Sequence, residues 1–204
     1  SEGQMIDDRV RDEMLFYATS GDYSDAARYE RFALDCKLDE KAADIGMVVK
    51  YLASQIPAAG KPLEILETAS ATGLTAVGVT SELTRAGISH VYTSLDIEQN
   101  LLHYAMLRRR GDKFVQGDFE QLPFARCVFD IYIMMGAEGY RPNGTFYPEA
   151  YRVLKFGGYY VMPQIGPRPI VRAPEKNAAL QSGLRIVRAD NYLIAQKDGM
   201  SPSA

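Results

Sequence analysis

The stretch ILETASATGLTAV, residues 65–77, has the pattern of a strand, a turn of small residues and the start of a helix. An apolar run ends at Glu67, five small or polar residues follow, and a helix-forming segment begins at Gly73. A strand that turns through small residues into a helix is typical of nucleotide-binding α/β proteins, because the backbone amides of the turn can approach a ligand. A tight turn that is packed for its own sake explains the same residues, so the turn alone leaves both interpretations open.

Short apolar runs alternate with helical segments downstream of Pro62. Strands are predicted over 63–67, 90–96, 113–118, 129–135 and 157–163, with helices over 73–85, 98–109 and 145–154. This alternation indicates right-handed βαβ crossovers and a mostly parallel sheet with helices on both faces. At the C-terminal end, LRIVRADNYLIAQK (184–197) predicts two strands joined at Asp190-Asn191, residues that tolerate turn conformations. We therefore expect an antiparallel hairpin on the edge of the parallel sheet.

The segment before the first strand has helical periodicity. Its first apolar residues recur at helical spacing, and they are Ile6, Val10, Met14 and Tyr17. Further helices are predicted around 26–34 and from about residue 39 to Pro57. A chain of 204 residues favours a single domain, so we expect an N-terminal helical cap over residues 5–60 and an α/β core over 61–204.

Composition narrows the classes of function. The net charge of -3 argues against nucleic acid as the main partner. The sequence contains no run of 18 apolar residues, so no membrane-spanning helix is predicted. Cys36 and Cys127 form no metal-binding pattern, so we expect no metal, and a reducing compartment is a simpler expectation than a disulfide. The N-terminus lacks the apolar core of a signal peptide, which favours a cytoplasmic protein. The oligomeric state stays open.

A basic run precedes Gly111. Arg108, Arg109 and Arg110 are expected to end a helix, where cations offset the helix dipole. A phosphate-binding patch is the alternative interpretation of the same three residues.

Three strand ends carry an acid. Glu67, Asp96 and Asp118 each follow an apolar run, and the carboxyl ends of parallel strands meet at one edge of a sheet. Three carboxylates in one crevice repel each other unless they accept hydrogen bonds from ligand hydroxyls and amines or face a cation. We expect them to share a ligand site, with Asp96 placed to accept two ribose hydroxyls.

The order of several motifs resembles the class I S-adenosylmethionine-dependent methyltransferases. The motifs are ILETASATG, SLDIEQNLLHYA, FVQGDFEQLPF, FDIYIMM and EAYRVLKFGGYYVM. They are closest to the small, broad-specificity group that has LPF after the third strand and RVLKPGG before the fifth, and Phe156 stands at the proline of the latter. The match covers about two-thirds of the chain. It implies a Rossmann-like, seven-stranded, mostly parallel sheet whose sixth and seventh strands are the C-terminal hairpin.

The resemblance also implies where S-adenosyl-L-methionine binds. Asp96 would hold the ribose hydroxyls, Ile97 would pack on the adenine and Asp118 would bond its amino group. Ile97 taken alone is also explained as an ordinary core residue. The other implied contacts are Glu67, Ala69, Ser70, Ala71 and Gly73 beside the methionine part, Phe119 beside the adenine ring, and Met135 and Gly136 at the reactive end.

The first loop departs from the family pattern. The family has acid-x-Gly-x-Gly-x-Gly, and this chain has Glu67-x-Ala69-x-Ala71-x-Gly73. An alanine costs little where φ is negative and destabilises where φ is positive. We expect Ala69 to be harmless and leave Ala71 open, since its methyl group would push a cofactor outward. The two distal acids and Gly73 remain, so the loop is expected to bind.

Methyl transfer from a sulfonium is an in-line displacement that needs alignment and exclusion of water more than a nucleophile. The catalytic residue is unknown. Candidates for contact with a small-molecule acceptor are Tyr17 and Tyr23 in the cap, and Glu138, Tyr140 and Arg141 after the fourth strand. Tyr17 is equally explained as a packing residue. His90 and His103 have no evident partners, and structural roles are expected for both.

Three hypotheses follow from these observations. The first is an active methyltransferase on a small molecule. The second is a methyltransferase-like binding module or partner subunit without catalysis, which Ala71 and the lack of an evident catalytic side chain favour. The third is a nicotinamide-dependent oxidoreductase on a related sheet, which the absence of GxGxxG argues against.

Overall fold

The computed structural model describes residues 7–57, 59–135, 145–164 and 173–199. Its helices are α1 Asp8–Ser20, α2 Ala26–Asp35, α3 Leu38–Gln55, α4 Leu74–Arg85, α5 Gln99–Leu107, α6 Tyr147–Val153 and α7 Ala173–Gln181. Its strands are β1 Leu63–Thr68, β2 His90–Asp96, β3 Lys113–Gln116, β4 Phe129–Met134, β5 Leu154–Pro163, β6 Arg185–Ala189 and β7 Tyr192–Gln196. Among these residues, no helix combines the length and apolar character that crossing a bilayer requires.

The seven strands form one sheet in the order β3-β2-β1-β4-β5-β7-β6. β1 pairs in parallel with β2 and β4, and parallel pairing continues outward to β3 and β5. β7 pairs antiparallel with β5 and β6. The predicted Rossmann-like α/β fold with a C-terminal hairpin is therefore confirmed. Strand order reverses between β1 and β4, and in open α/β sheets this reversal is where the ligand crevice lies, beyond the carboxyl ends of the strands.

Apolar side chains pack on both faces of the sheet. Neighbouring residues of β1 enter opposite clusters, Ile65 with α3 and α4 and Leu66 with α6 and α7, because side chains alternate along a strand. Burial on both faces explains why the central strands read as continuous apolar runs rather than as alternating ones.

Helices α3 and α4 approach each other through glycines. A Cβ atom on Gly46 of α3 would lie 2.4 Å from the carbonyl oxygen of Gly78 in α4. A Cβ atom on Gly78 would in turn lie 2.3 Å from the carbonyl oxygen of Ala42. Only hydrogen fits at these positions, so the two glycines fix how closely α3 packs on α4.

The first two helices are joined by aromatic rings. Five residues of α1, α2 and the connecting turn form the cap aromatic cluster, namely Phe16, Tyr17, Tyr23, Tyr29 and Phe32. Arg28 of α2 adds a bidentate pair of hydrogen bonds to Glu13 of α1, at 2.9 and 2.8 Å. Both helices begin at an aspartate cap, since Asp7 and Asp25 accept hydrogen bonds from backbone amides of the first turn.

The structure differs from the sequence predictions at a few boundaries. β5 begins at Leu154 rather than at residue 157, and it carries an irregularity in its pairing with β4 where Gly157 has φ +84°. β3 ends at Gln116, and α6 covers only Tyr147–Val153. No prediction covered α7, whose buried residues include the small Ala179 and the polar Glu175, so its sequence lacks an apolar stripe.

Candidate functional site

The loop between β1 and α4 runs through three left-handed residues. Ala69 has φ +53°, Ala71 φ +48° and Gly73 φ +83°. The expectation that Ala69 is harmless is therefore wrong, because a non-glycine residue in this region is strained by ~1–2 kcal/mol. Ala71 is left-handed as well and carries the same strain, whereas the expectation that its methyl group pushes a cofactor outward stays a prediction. The loop keeps the backbone path of a glycine loop and carries strain at both alanines.

Backbone hydrogen bonds hold the loop in this path. The amide of Ser70 donates to the carbonyl oxygen of Leu95 at 3.1 Å, and the amide of Ala71 donates to Oδ2 of Asp96 at 2.8 Å. Both acceptors lie at the carboxyl end of β2, so β2 fixes the loop. Gly73 is required for space as well as for φ, since a Cβ atom there would lie 2.8 Å from Cβ of Arg110.

Asp96 ends β2 and is 7% exposed. Its Oδ2 accepts from Ala71 and its Oδ1 from the amide of Glu98, at 2.8 and 2.9 Å. Burial raises the pKa of this carboxyl, and the hydrogen bonds from Glu98 and Ala71 oppose that shift. A carboxylate has about four acceptor positions, so Asp96 retains capacity for the hydroxyls of a ligand.

Glu67 lies in β1 and is 1% exposed. The phenol of Tyr92 donates to its Oε2 at 2.6 Å. Burial raises the pKa of Glu67 to about 8, against the hydrogen bonds from Tyr92 and Thr75, and the charge of Asp96 adds to the rise. Glu67 is thus a buried carboxyl that holds its proton at neutral pH.

A pocket opens beside this loop. The cap supplies Tyr29 and Ala33 of α2 and Leu38 of α3 to one wall. The remaining lining residues are Glu67, Ala69, Ser70, Ala71, Thr72, Leu74, Thr75 and Met135. The N-terminal helices therefore cover the end of the site that the resemblance associates with the methionine part of the cofactor.

Arg110 ties the cap to the loop. Its Nη1 donates to the carbonyl oxygen of Thr72 at 2.8 Å and lies 2.8 Å from Oε1 of Glu30 in α2. The prediction that the basic run ends a helix is confirmed, since α5 ends at Leu107 and the amides of Arg109 and Arg110 donate to carbonyl oxygens of its last turn. The side chain of Arg110 in addition reaches across to other elements.

The adenine-side residues lie outside this pocket. Asp118 follows β3 and accepts from the amide of Glu120 at 2.8 Å, and Phe119 packs edge-to-face on Phe146 at 5.4 Å. Ile97 is 61% exposed, so its interpretation as a core residue is wrong. An exposed apolar side chain immediately after Asp96 is consistent with a surface on which a planar ring packs. Since β3, β2 and β1 are adjacent and parallel, all three acids lie at or just beyond the carboxyl ends of their strands, at one edge of the sheet.

The acceptor candidates are only partly described. Tyr17 is 5% exposed and stacks on Tyr23 with ring centroids 4.8 Å apart, so it packs within the cap aromatic cluster and does not line the pocket. Gly136, Glu138, Tyr140 and Arg141 lie outside the described residues.

Both histidines are compatible with the structural roles expected for them. His90 starts β2, where its Nδ1 is hydrogen-bonded to the carbonyl oxygen of Ile88 at 2.9 Å. His103 lies in α5 and is exposed. Neither lines the pocket.

Sequence reasoning missed several residues of the site. Tyr29, Thr75, Tyr92 and Arg110 are brought to it by other elements and carry no motif of their own. A signal existed for Tyr92, which lies an even number of residues before Asp96 and therefore on the same face of β2. Nothing in the sequence pattern indicated that Arg110 would reach α2.

Residues 71–162 match a protein family described as Methyltransferase domain. A phthiotriol/phenolphthiotriol dimycocerosates methyltransferase of Mycobacterium tuberculosis (strain ATCC 25618 / H37Rv) is 34% identical over 130 residues, which are 62% of this chain and 46% of that protein. A 2-methyl-6-phytyl-1,4-hydroquinone methyltransferase of Oryza sativa subsp. japonica is 32% identical over 110 residues, covering 52% of this chain and 30% of that protein. The chain thus matches less than half the length of either of these curated relatives.

Solved structures share the fold. The CMeT domain of the citrinin polyketide synthase superposes with a TM-score of 0.65 at 18% identity, covering 78% of this chain and 52% of that chain. The CurJ carbon methyltransferase gives the same TM-score at 14% identity, covering 78% of this chain and 54% of that chain. At such identities the likeness concerns the arrangement of strands and helices alone.

Proposed function

We propose that the chain is a class I S-adenosylmethionine-dependent methyltransferase and that it transfers a methyl group from this donor to a small-molecule acceptor. The match to a methyltransferase domain argues against the nicotinamide-dependent alternative. One observation carries the proposal. Glu67 and Asp96 are both buried at the carboxyl edge of the sheet, and they lie on either side of the loop that contains Ala71.

The chemistry of the site fits S-adenosylmethionine. Asp96 is an acceptor for ribose hydroxyls, and Glu67 offers a carboxyl group to a cationic ligand. Ser70 is 4% exposed and lines the pocket, and its buried hydroxyl has no hydrogen-bond partner in the described part of the chain. A buried hydroxyl without a partner is unfavourable unless a ligand or water satisfies it, which supports a polar ligand here.

The work of the chain in this reaction is alignment. Bound S-adenosylmethionine supplies an electrophilic methyl group on a sulfonium. Asp96 orients the ribose, and Tyr29, Ala33 and Leu38 exclude water from the methionine end. An in-line displacement in such a site requires no nucleophile from the protein, in keeping with the lack of an evident catalytic side chain.

The acceptor is proposed to be a small molecule with a hydroxyl or hydroquinone group. The support comes from the names of two relatives, one for phthiotriol and phenolphthiotriol compounds and one for a phytyl hydroquinone. Prenylated hydroquinones and long-chain alcohols are therefore the first compounds to assay, with a labelled methyl donor and extraction of the product.

Calorimetric titration with S-adenosylmethionine tests the proposal. Asp96→Asn should weaken binding ~10–100-fold, because a hydrogen bond to a charged group is worth ~1.5–3 kcal/mol. Asp198→Asn is the matched control. Asp198 follows β7, is more than half exposed and forms an ion pair with Arg185 of β6. No binding by the unaltered chain, or equal loss in both variants, would overturn the proposal.

A binding module or partner subunit without catalysis is the second candidate. The methyl groups of Ala69 and Ala71 favour it, because both residues line the pocket at positions where the family has glycine. Ala71→Gly distinguishes the candidates. If the methyl group obstructs the cofactor, this change should tighten binding of S-adenosylmethionine, and an unchanged affinity would remove the observation that supports this candidate.

A further inference from the structure

Glu67 is surrounded by groups that carry no positive charge. Tyr92 and Asp96 face it from β2 and Thr75 faces it from α4. Tyr29 of α2, Leu38 of α3 and Met135 after β4 line the same pocket. Within the described ranges, no lysine, arginine or histidine forms an ion pair with this carboxyl. A buried carboxylate without a cation is costly, so the unliganded site favours the protonated acid.

The side chains around Glu67 can also stabilise its ionised form. The phenol of Tyr92 lies 2.6 Å from Oε2 of Glu67, and burial raises the pKa of Tyr92 well above its ordinary value, so Tyr92 remains a donor. A hydrogen bond to the charged form stabilises the carboxylate. The pair therefore lacks only a positive charge in the pocket to make ionisation favourable.

We propose that Glu67, with Tyr92 as its hydrogen-bond donor, is a proton-linked counter-charge that gives up its proton when the cationic methionine end of the methyl donor binds. The inference rests on the proposed function and concerns how the same site selects its ligand. A cation a few ångströms from a carboxylate favours the charged form. Cofactor binding and loss of the proton then stabilise each other, and departure of the cation returns the proton to Glu67.

This linkage makes affinity for the donor depend on pH. Below the pKa of about 8, the acid must release a proton before it can serve as counter-charge, so the affinity should rise about tenfold per pH unit and level off above that value. An adenosyl compound without a cationic group gains nothing from the carboxylate. Its affinity should not follow this dependence.

Proton counting by calorimetry tests the proposal directly. S-adenosylmethionine is titrated into the protein near pH 7 in two buffers that differ in ionisation enthalpy, and the difference in apparent enthalpy gives the protons released. We expect close to one proton per donor bound. The ligand control, 5′-methylthioadenosine, keeps the adenosyl group but has neither sulfonium nor amino acid, and should release none.

Three variants separate the linkage from general effects. Glu67→Gln keeps the shape of the side chain and should abolish both proton release and the pH dependence of affinity. Tyr92→Phe removes the donor, so the rise in affinity should move to higher pH. Glu64→Gln, on the same strand but away from the pocket, should behave as the unaltered chain.

The unliganded protein provides a readout that needs no cofactor. Infrared difference spectra between pH 6 and pH 10 should contain the carbonyl band of a protonated carboxyl that disappears as pH rises. Glu67→Gln should lack this band, and Glu64→Gln should keep it. If the unaltered chain has no such band at pH 6, the carboxyl is already ionised and the inference fails.

The possible results distinguish this inference from the proposed function. Failure of S-adenosylmethionine to bind at any pH overturns both. Binding without proton release overturns the linkage alone and leaves the methyltransferase proposal standing. The demethylated product, S-adenosylhomocysteine, identifies the cation: equal proton release with product points to the ammonium group, and release with the donor alone points to the sulfonium.

Discussion

The guanidinium of Arg110 forms an ion pair with Glu30 and so links α2 to the loop between β1 and α4. Nη1 of Arg110 lies 2.8 Å from Oε1 of Glu30 and 2.8 Å from the carbonyl oxygen of Thr72. The side chains are 17% and 9% exposed, so water screens this ion pair little. The other carboxylate oxygen of Glu30 is buried and has no hydrogen-bond partner in the described part of the chain. Glu30 therefore depends on Arg110.

Arg110→Gln should destabilise the fold by ~3 kcal/mol, because it leaves the carboxylate of Glu30 buried without a counter-charge. Urea denaturation of the variant measures the loss. Arg9→Gln is the control, since Arg9 pairs with Asp35 at a largely exposed position, and its removal should cost less than ~1 kcal/mol. Equal losses in the two variants would contradict the role of Arg110.

Ala69→Gly and Ala71→Gly should each raise the free energy of unfolding. Each alanine has a positive φ, so its replacement relieves backbone strain that exceeds the added flexibility of the unfolded chain, for a net gain of ~0.5–1 kcal/mol each. Ala86→Gly is the control, because Ala86 follows α4 with φ -81° and should lose ~0.5 kcal/mol instead. Thermal or urea unfolding of the three variants provides the measurement, and a loss at Ala69 would show that its methyl group contributes more by packing than it costs by strain.

Gly46→Ala should destabilise α3, although alanine is the better helix former by ~1 kcal/mol. Its Cβ atom would stand 2.4 Å from the carbonyl oxygen of Gly78, and a backbone atom cannot rotate away. We expect a net loss of ~1–3 kcal/mol in the free energy of unfolding. Ser81→Ala, at an exposed position of α4, should be neutral or slightly stabilising. A stable Gly46→Ala variant would mean that α3 can move away from α4.

Glu67→Gln should change how stability depends on pH. Between its ordinary pKa of 4.5 and about 8, the folded chain holds a proton on Glu67 that the unfolded chain has lost. The stability contributed by Glu67 is thus fully present below 4.5, falls as pH rises at up to ~1.4 kcal/mol per unit, and is lost above about 8.

Urea denaturation at intervals from pH 5 to pH 9 measures this dependence. The difference in stability between Glu67→Gln and the unaltered chain should shift in favour of the variant as pH rises. Glu64→Gln should show no such trend, because Glu64 is not enclosed in the pocket. A constant difference for Glu67→Gln across the range would mean that Glu67 has an ordinary pKa in the folded protein.

Much of the fold was predictable because local patterns report burial. The strand ending at Asp96 was placed at its observed bounds from an apolar run that stops at an acid. The hairpin around Asp190 was predicted from two apolar runs joined by turn-forming residues. α7 was not predicted, since a helix that buries Ala179 and Glu175 leaves no apolar stripe in the sequence.

Some residues of the candidate site were likewise predictable from the sequence, and others were not. Glu67 and Asp96 were found from sequence because each acid ends an apolar run, and strand ends are where such sheets bind ligands. Ala69 was misjudged because φ is a property of the folded loop and leaves no mark on the residue type. Tyr29 and Arg110 were missed because they reach the site from elements that are distant in sequence.

Side-chain polarity along local stretches was enough to predict the alternating strands and helices, the hairpin at the sheet edge and the acids at three strand ends. The contact of Tyr92 with Glu67, the ion pair of Arg110 with Glu30 and the left-handed backbone of both loop alanines became evident in the folded chain alone. Contacts of this kind depend on the register of β2 against β1 and on the packing of α2 against α5. Those arrangements arise from burial summed over the whole chain, which no short stretch of residues contains.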